Sequence, residues 1–105
     1  MNVEISKSNK EGKKLKAVID NKKTIHFGAS GYSDYTKHKD DDRKQRYIDR
    51  HKKREDHTKS GIDTAGFLSR HLLWGEPTIE KSVDELNKKY KDVNFTYLPN
   101  KKSNY

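Results

Sequence analysis

The chain contains no cysteine, which excludes disulfides, thiolate metal sites and cysteine nucleophiles. Proline occurs only twice and tryptophan once. Apolar residues are also scarce: 29% of the 105 residues are hydrophobic, against roughly 45–50% in an average soluble domain. The core must therefore be small. No segment approaches the roughly 20 apolar residues that cross a bilayer, and residues 1–7 lack the apolar run of a signal peptide. The expectation is an intracellular, non-secreted protein without a membrane partner. The chain also lacks the His-Glu-x-x-His pattern of zinc hydrolases, the Gly-Lys-Ser/Thr ending of a P-loop and a dinucleotide fingerprint. No cofactor or metal is expected.

What the chain has in abundance is charge. Lys and Arg number 24 against 16 Asp and Glu, a net charge of +8, and 38% of residues are charged. Self-repulsion at that charge costs stability, and a polyanion relieves it. Nucleic acid is the commonest such partner; anionic membrane and acidic protein surfaces are the others. A lysine-rich composition without function is the plain alternative, so clustering of the cations has to decide.

The length suits one domain. Residues 1–12 are polar and without periodicity and read as a flexible basic arm. From Lys14 to Asp20 residues alternate, with Leu15, Ala17 and Ile19 on one face. Asp20, Asn21 and Lys22 supply turn chemistry, and Ile25 and Phe27 resume the alternation, so a β-hairpin is predicted. A loop from Gly28 to Lys39 follows. Asp40, Asp41 and Asp42 suit the positive end of a helix dipole, and a thinly apolar helix is predicted from about Asp41 to about Glu55. Asp63 or Thr64 caps a second helix carrying Ala65, Phe67, Leu68, Leu72 and Leu73, closed by Gly75. A third opens at Pro77 and Thr78, with Ile79, Val83, Leu86 and Tyr90 at helical spacing. Val93, Phe95 and Tyr97 alternate and suit a short C-terminal strand. The reading is α+β: one domain over residues 13–98, with a disordered tail at 99–105. Its core comprises Leu15, Ile19, Ile25, Phe27, Tyr47, Phe67, Leu68, Leu72, Trp74, Ile79, Val83 and Leu86.

Two constellations could carry function. The first is the predicted helix with Arg43, Lys44, Arg46, Arg50, Lys52, Lys53 and Arg54 against the single acid Asp49. At 100° per residue Arg43, Arg46, Arg50, Lys53 and Arg54 crowd one broad face. Pairs such as Asp42–Arg46 and Asp49–Lys53 absorb only part of the excess. Arginine grips phosphate by two bonds and stacks on bases. The second is the loop that interleaves Tyr32 and Tyr35 with Lys37, His38 and Lys39, a mixture suited to stacking on unpaired bases. Gly28 and Gly31 there would let backbone N–H groups approach a phosphate. The alternative is that Tyr32 and Tyr35 fold inward to enlarge the core. Among the histidines, His57 beside Asp56 is the nearest approach to an acid–base pair, and His71 suits the edge of a core. Trp74-Gly75-Glu76-Pro77 suits a tight turn between helices.

Four stretches together resemble a group of small basic proteins encoded by large DNA viruses of algae and protists. They are Phe27 to Asp40, Arg50 to Glu55, Thr64 to Arg70, and Leu73 to Thr78. The resemblance spans about residues 14–86. It implies a viral setting, either a virion component or a factor made in the cytoplasm or nucleus of infected cells. It carries over no catalytic residue.

Three functions stay open. The first is a nucleic-acid-binding protein, for DNA ahead of RNA, that grips phosphates without sequence specificity and is packaged in the virion. The second is a minor capsid or other structural protein whose basic face meets acidic protein surfaces. The third is a small metal-dependent nuclease. A sparse core leaves self-association, or assembly with other virion proteins, open as well.

Overall fold

The structure, a computed structural model, describes residues 1–99. Four strands form a mixed sheet: β1 (Asn2–Lys7), β2 (Lys13–Ile19), β3 (Lys23–Ala29) and β4 (Asn94–Leu98). Their order is β3-β2-β1-β4. β2 runs antiparallel to both β1 and β3, and β4 runs parallel to β1. Alternation decides the buried face. Val3 and Ile5, then Leu15, Ala17 and Ile19, then Phe27, then Phe95 all point into one core.

The predicted hairpin is β2–β3, and its turn has the geometry its residues favour. Asp20 and Asn21 both hold left-handed backbone angles, φ 51° and 57°, and the Lys22 N–H donates to the Ile19 carbonyl. Two consecutive positive φ values match the right-handed twist of the flanking strands, and Asp and Asn tolerate them better than most residues.

Residues 1–12 are not an arm. They carry β1, an interior strand, and the Ile5 side chain is 0% exposed. The domain therefore starts at residue 2 and not at residue 13. Only two inward apolar residues mark this strand, and one of its partners, β4, comes from the far end of the chain. A local reading has little to find there. The expected C-terminal strand is β4; of the expected tail, only Pro99 falls within the described residues, and residues 100–105 lie outside them.

Residues 65–73 and the last helix pack against the buried face of the sheet. A short helix, α1 (Tyr35–His38), interrupts the expected loop. It is capped by Asp34, whose carboxylate accepts from the Thr36 N–H at 3.0 Å. α2 (Asp41–His51) is capped by Asp40, which accepts from the Asp42 and Arg43 N–H groups. It ends four residues earlier than expected, in a tightened turn in which the Arg54 N–H takes an i→i−3 bond to the His51 carbonyl. A single 3-10 turn at Lys59–Gly61 leads to α3 (Ala65–Leu68), capped by Thr64.

α3 does not continue as the regular helix its spacing suggests. It runs into a π-helical turn, Ser69–Leu73, closed by a bond from the Trp74 N–H to the Ser69 carbonyl. An i→i+5 bond widens the turn relative to an α-helix. Phe67 and Leu68 before it and Leu72 and Leu73 within it are all buried. Thr78 caps α4 (Ile79–Lys89), which buries Val83 and Leu86. The Asn87 side-chain amide then exchanges two hydrogen bonds with the Phe95 backbone, at 2.8 and 2.9 Å. It holds β4 against α4 and occupies backbone groups of that edge strand.

The interior position of β1 predicts a large cost for Ile5→Ala. Removing a fully buried isoleucine side chain costs about 2–5 kcal/mol. Urea unfolding followed by circular dichroism should show that loss, whereas a flexible arm would tolerate the substitution within about 0.5 kcal/mol.

Candidate nucleic-acid interface

α2 has few apolar residues, and Tyr47 is its one buried side chain. Its ring stacks on Trp74, with centroids 4.3 Å apart and planes 6° from parallel. On the other face His51 stacks at 4.0 Å. His38 adds a tilted ring on Trp74 at 5.2 Å. Burial and the nearby Glu55 carboxylate push the Tyr47 pKa up to about 12, so its hydroxyl stays neutral.

Polar ties complete the attachment. Lys44 Nζ donates to the Gly75 carbonyl at 2.7 Å and lies 4.7 Å from the centre of the Tyr35 ring. The Tyr35 hydroxyl donates to Asp41 Oδ1 at 2.6 Å. Beyond the helix, Glu55 bridges two imidazoles, with Oε2 3.1 Å from His51 Nδ1 and Oε1 2.9 Å from His57 Nε2. Burial works to raise the Glu55 pKa, but the hydrogen bonds from His57 and His51 outweigh it and hold the carboxyl below its ordinary value.

Beside the ring column, along the flank of α2 next to Tyr47, Arg43, Arg46 and Arg50 are all exposed. At 100° per residue they fall within about 60° of one another. Lys53 and Arg54 follow in the turn after the helix and are exposed as well. Neither Asp42–Arg46 nor Asp49–Lys53 forms. Asp49 instead accepts from the Gln45 amide and pairs with Lys52 at 3.5 Å. Among the described residues, none of Arg43, Arg46, Arg50, Lys53 and Arg54 has a carboxylate within ion-pair distance.

The other candidate residues divide. Tyr35 and Lys44 serve the interior, and Lys52 is partly consumed by Asp49. Lys37 and Lys39 are exposed, and Lys39 is the left-handed cap of α1. Asp40, Asp41 and Asp42 intervene in the chain between these lysines and the arginines. Tyr32 is 74% exposed, so the two loop tyrosines take opposite fates. Gly28 and Gly31 both hold positive φ, 79° and 88°. At Gly28 an added Cβ would sit 2.5 Å from Leu73 Cδ1, so close packing, rather than a phosphate, accounts for that glycine. His57 pairs with Glu55 and not with Asp56, which caps the following turn through the Thr58 N–H.

One feature escapes the sequence reading. A cleft of about 280 Å³ opens between β3, the segment leading into α1, α2 and α3. Asp34 and Lys14 line one wall, His51 and Glu55 another, and Ser69 and Trp74 a third. Asp34 is 2% exposed and pairs with Lys14 Nζ at 2.5 Å. The pairing of Lys14 with Asp34 spans two elements, so no local spacing announces it. Among the described residues, no three His, Asp or Glu side chains converge as a set of metal ligands. No helix among them is long and apolar enough to cross a membrane.

A model for a family of unknown function, DUF5754, matches residues 3–51. The match covers β1 to β3 and α2, and amounts to just under half of the chain. No curated protein and no solved structure matches the chain.

His71 provides a pH test of the packing behind the site. Burial drives its pKa from 6.5 down to about 4, and its Nε2 lies 2.9 Å from the His57 carbonyl. Between those two values the unfolded chain holds more protons than the folded one. Stability therefore falls as pH drops through that window, by an amount on the order of 2–3 kcal/mol. His71→Gln keeps a donor for the carbonyl but removes the titration. Urea midpoints measured between pH 7 and 4 should fall less steeply in that variant than in the wild type.

Proposed function

We propose that the chain binds nucleic acid through the exposed face of α2, gripping the phosphate backbone without reading sequence. What supports this is one observation: Arg43, Arg46 and Arg50 share an exposed face on which no carboxylate neutralises them, and Lys53 and Arg54 extend it. Uncompensated cations at helical spacing repel each other in the free protein, and phosphates remove that repulsion. Each phosphate contact also releases a condensed counterion, which drives binding at low salt. Arg43, Arg46 and Arg50 belong to a helix pinned by a ring column, so their backbone positions are fixed relative to one another. The partner is DNA ahead of RNA. The setting implied by the sequence resemblance is a cell infected by a large DNA virus and its virion.

Fluorescence anisotropy with a labelled DNA of mixed sequence tests the reading. With three to five phosphate contacts, a plot of log affinity against log salt should have a slope of about −3 to −5. Arg46→Glu combined with Arg50→Glu should reduce that slope by about 2 and weaken binding by at least about tenfold. These exposed substitutions should leave stability within about 0.5 kcal/mol. A double variant that folds and binds as tightly as the wild type would remove α2 from the interface.

A further inference from the structure

The cleft beside α2 is lined by charges of both signs, Lys13 and Lys14 against Asp34 and Glu55, unlike the uncompensated arginine face next to it. Arg50 and Arg54 are exposed on the neighbouring face of α2 and the turn after it, while Asp34 and Glu55 line the cleft from separate walls. Because the charges within the cleft cancel, it offers a phosphate no net attraction and leaves its carboxylates to neutral groups. These carboxylates accept hydrogen bonds well. A carboxylate offers about four acceptor positions, and Glu55 uses two of them, on His51 and His57. The volume of about 280 Å³ lies just below the roughly 300–1,000 Å³ of small-molecule sites, which suits one ring system. The edges around it are partly aromatic, with Trp74 and Tyr47 stacked together along one side.

We infer that this cleft receives an unpaired nucleobase, so that the preferred ligand is a single strand whose phosphates lie on the arginine face while one base turns inward. The inference rests on the nucleic-acid reading above. Phosphates gain nothing from the balanced charges of the cleft and are attracted to its arginine rim. A neutral base bearing an exocyclic amine meets the acceptor positions that Glu55 leaves open, Asp34 being occupied by Lys14 and Thr36. Cytosine and adenine carry that amine and thymine does not. A paired base in a duplex cannot enter without being extruded, at a cost of a few kcal/mol.

The chain's single tryptophan, Trp74, lines the cleft and reports directly on its occupancy. Oligo(dC) added to the full chain should alter Trp74 emission, and a duplex of the same length should not. Anisotropy at one fixed salt should show oligo(dC) binding more tightly than oligo(dT), and tighter than duplex by about tenfold. Ala65 is exposed and lines the cleft, so Ala65→Phe should fill it and abolish the preference for single strands while duplex binding persists. Equal affinity for oligo(dC) and duplex overturns the inference but leaves phosphate binding by α2 intact, as does Trp74 emission indifferent to oligo(dC). Absence of binding to either nucleic acid at low salt overturns both. The emission measurement uses the wild-type chain, so it decides the matter even if Ala65→Phe fails to fold.

Discussion

Tyr47 sits between Trp74 and His51, at 4.3 and 4.0 Å, and the orientation of α2 depends on that sandwich. A helix whose one buried residue is a tyrosine has almost no hydrophobic stripe to choose its face. The stack supplies the choice. It joins α2 to the end of the π turn, where the i→i+5 repeat leaves Trp74 beside the helix. Once Tyr47 is inside, Lys44 and His51 fall toward one flank of it and find partners there, while Arg43, Arg46 and Arg50 lie along the other flank and stay exposed. The placement of the cations is thus a consequence of aromatic packing, without any ion pair to direct it.

Much of this was legible in the sequence, and the misses have definite causes. The α+β class, the β2–β3 hairpin and the core positions Leu15, Ile19, Phe27, Phe67, Leu68, Leu72, Val83 and Leu86 follow from alternation and helical spacing, whereas Ile25, Trp74 and Ile79, also expected in the core, are only partly buried against it. β1 escaped because Val3 and Ile5 are only two apolar residues in a polar run, and half of its pairing comes from β4 at the other end of the chain. The π turn escaped because Ala65, Leu68 and Leu72 fit an α-helical stripe. The bond that marks the wider turn, from the Trp74 N–H to the Ser69 carbonyl, leaves no trace in the apolar spacing. The exposed arginines were legible as a helical face. The roles of Tyr35 and Lys44 were not, since each is settled by a partner outside its own segment: Asp41 and the Gly75 carbonyl. The cleft was invisible for the same reason, being assembled from separate elements.

Electrostatics organises the region into two zones. On the outer face of α2 positive charge is left uncompensated. Behind it every carboxylate has partners: Asp34 holds Lys14 and the Thr36 N–H, and Glu55 holds two imidazoles. An inward shift of a phosphate would exchange the arginines for a cleft whose charges already cancel, and an outward turn of the helix would break the ring column. Both penalties keep a bound backbone on the arginine side.

The most direct test of that arrangement is to map the contact surface itself. Backbone amide shifts of the ¹⁵N-labelled chain should be followed by NMR as a short single-stranded DNA is added. The largest changes should fall on Arg43, Arg46, Arg50, Lys53 and Arg54 and on the adjoining cleft at His51 and Glu55. Changes confined to the outer face of the sheet, at Val18, Thr24 and His26, would contradict the assignment of α2 as the binding surface.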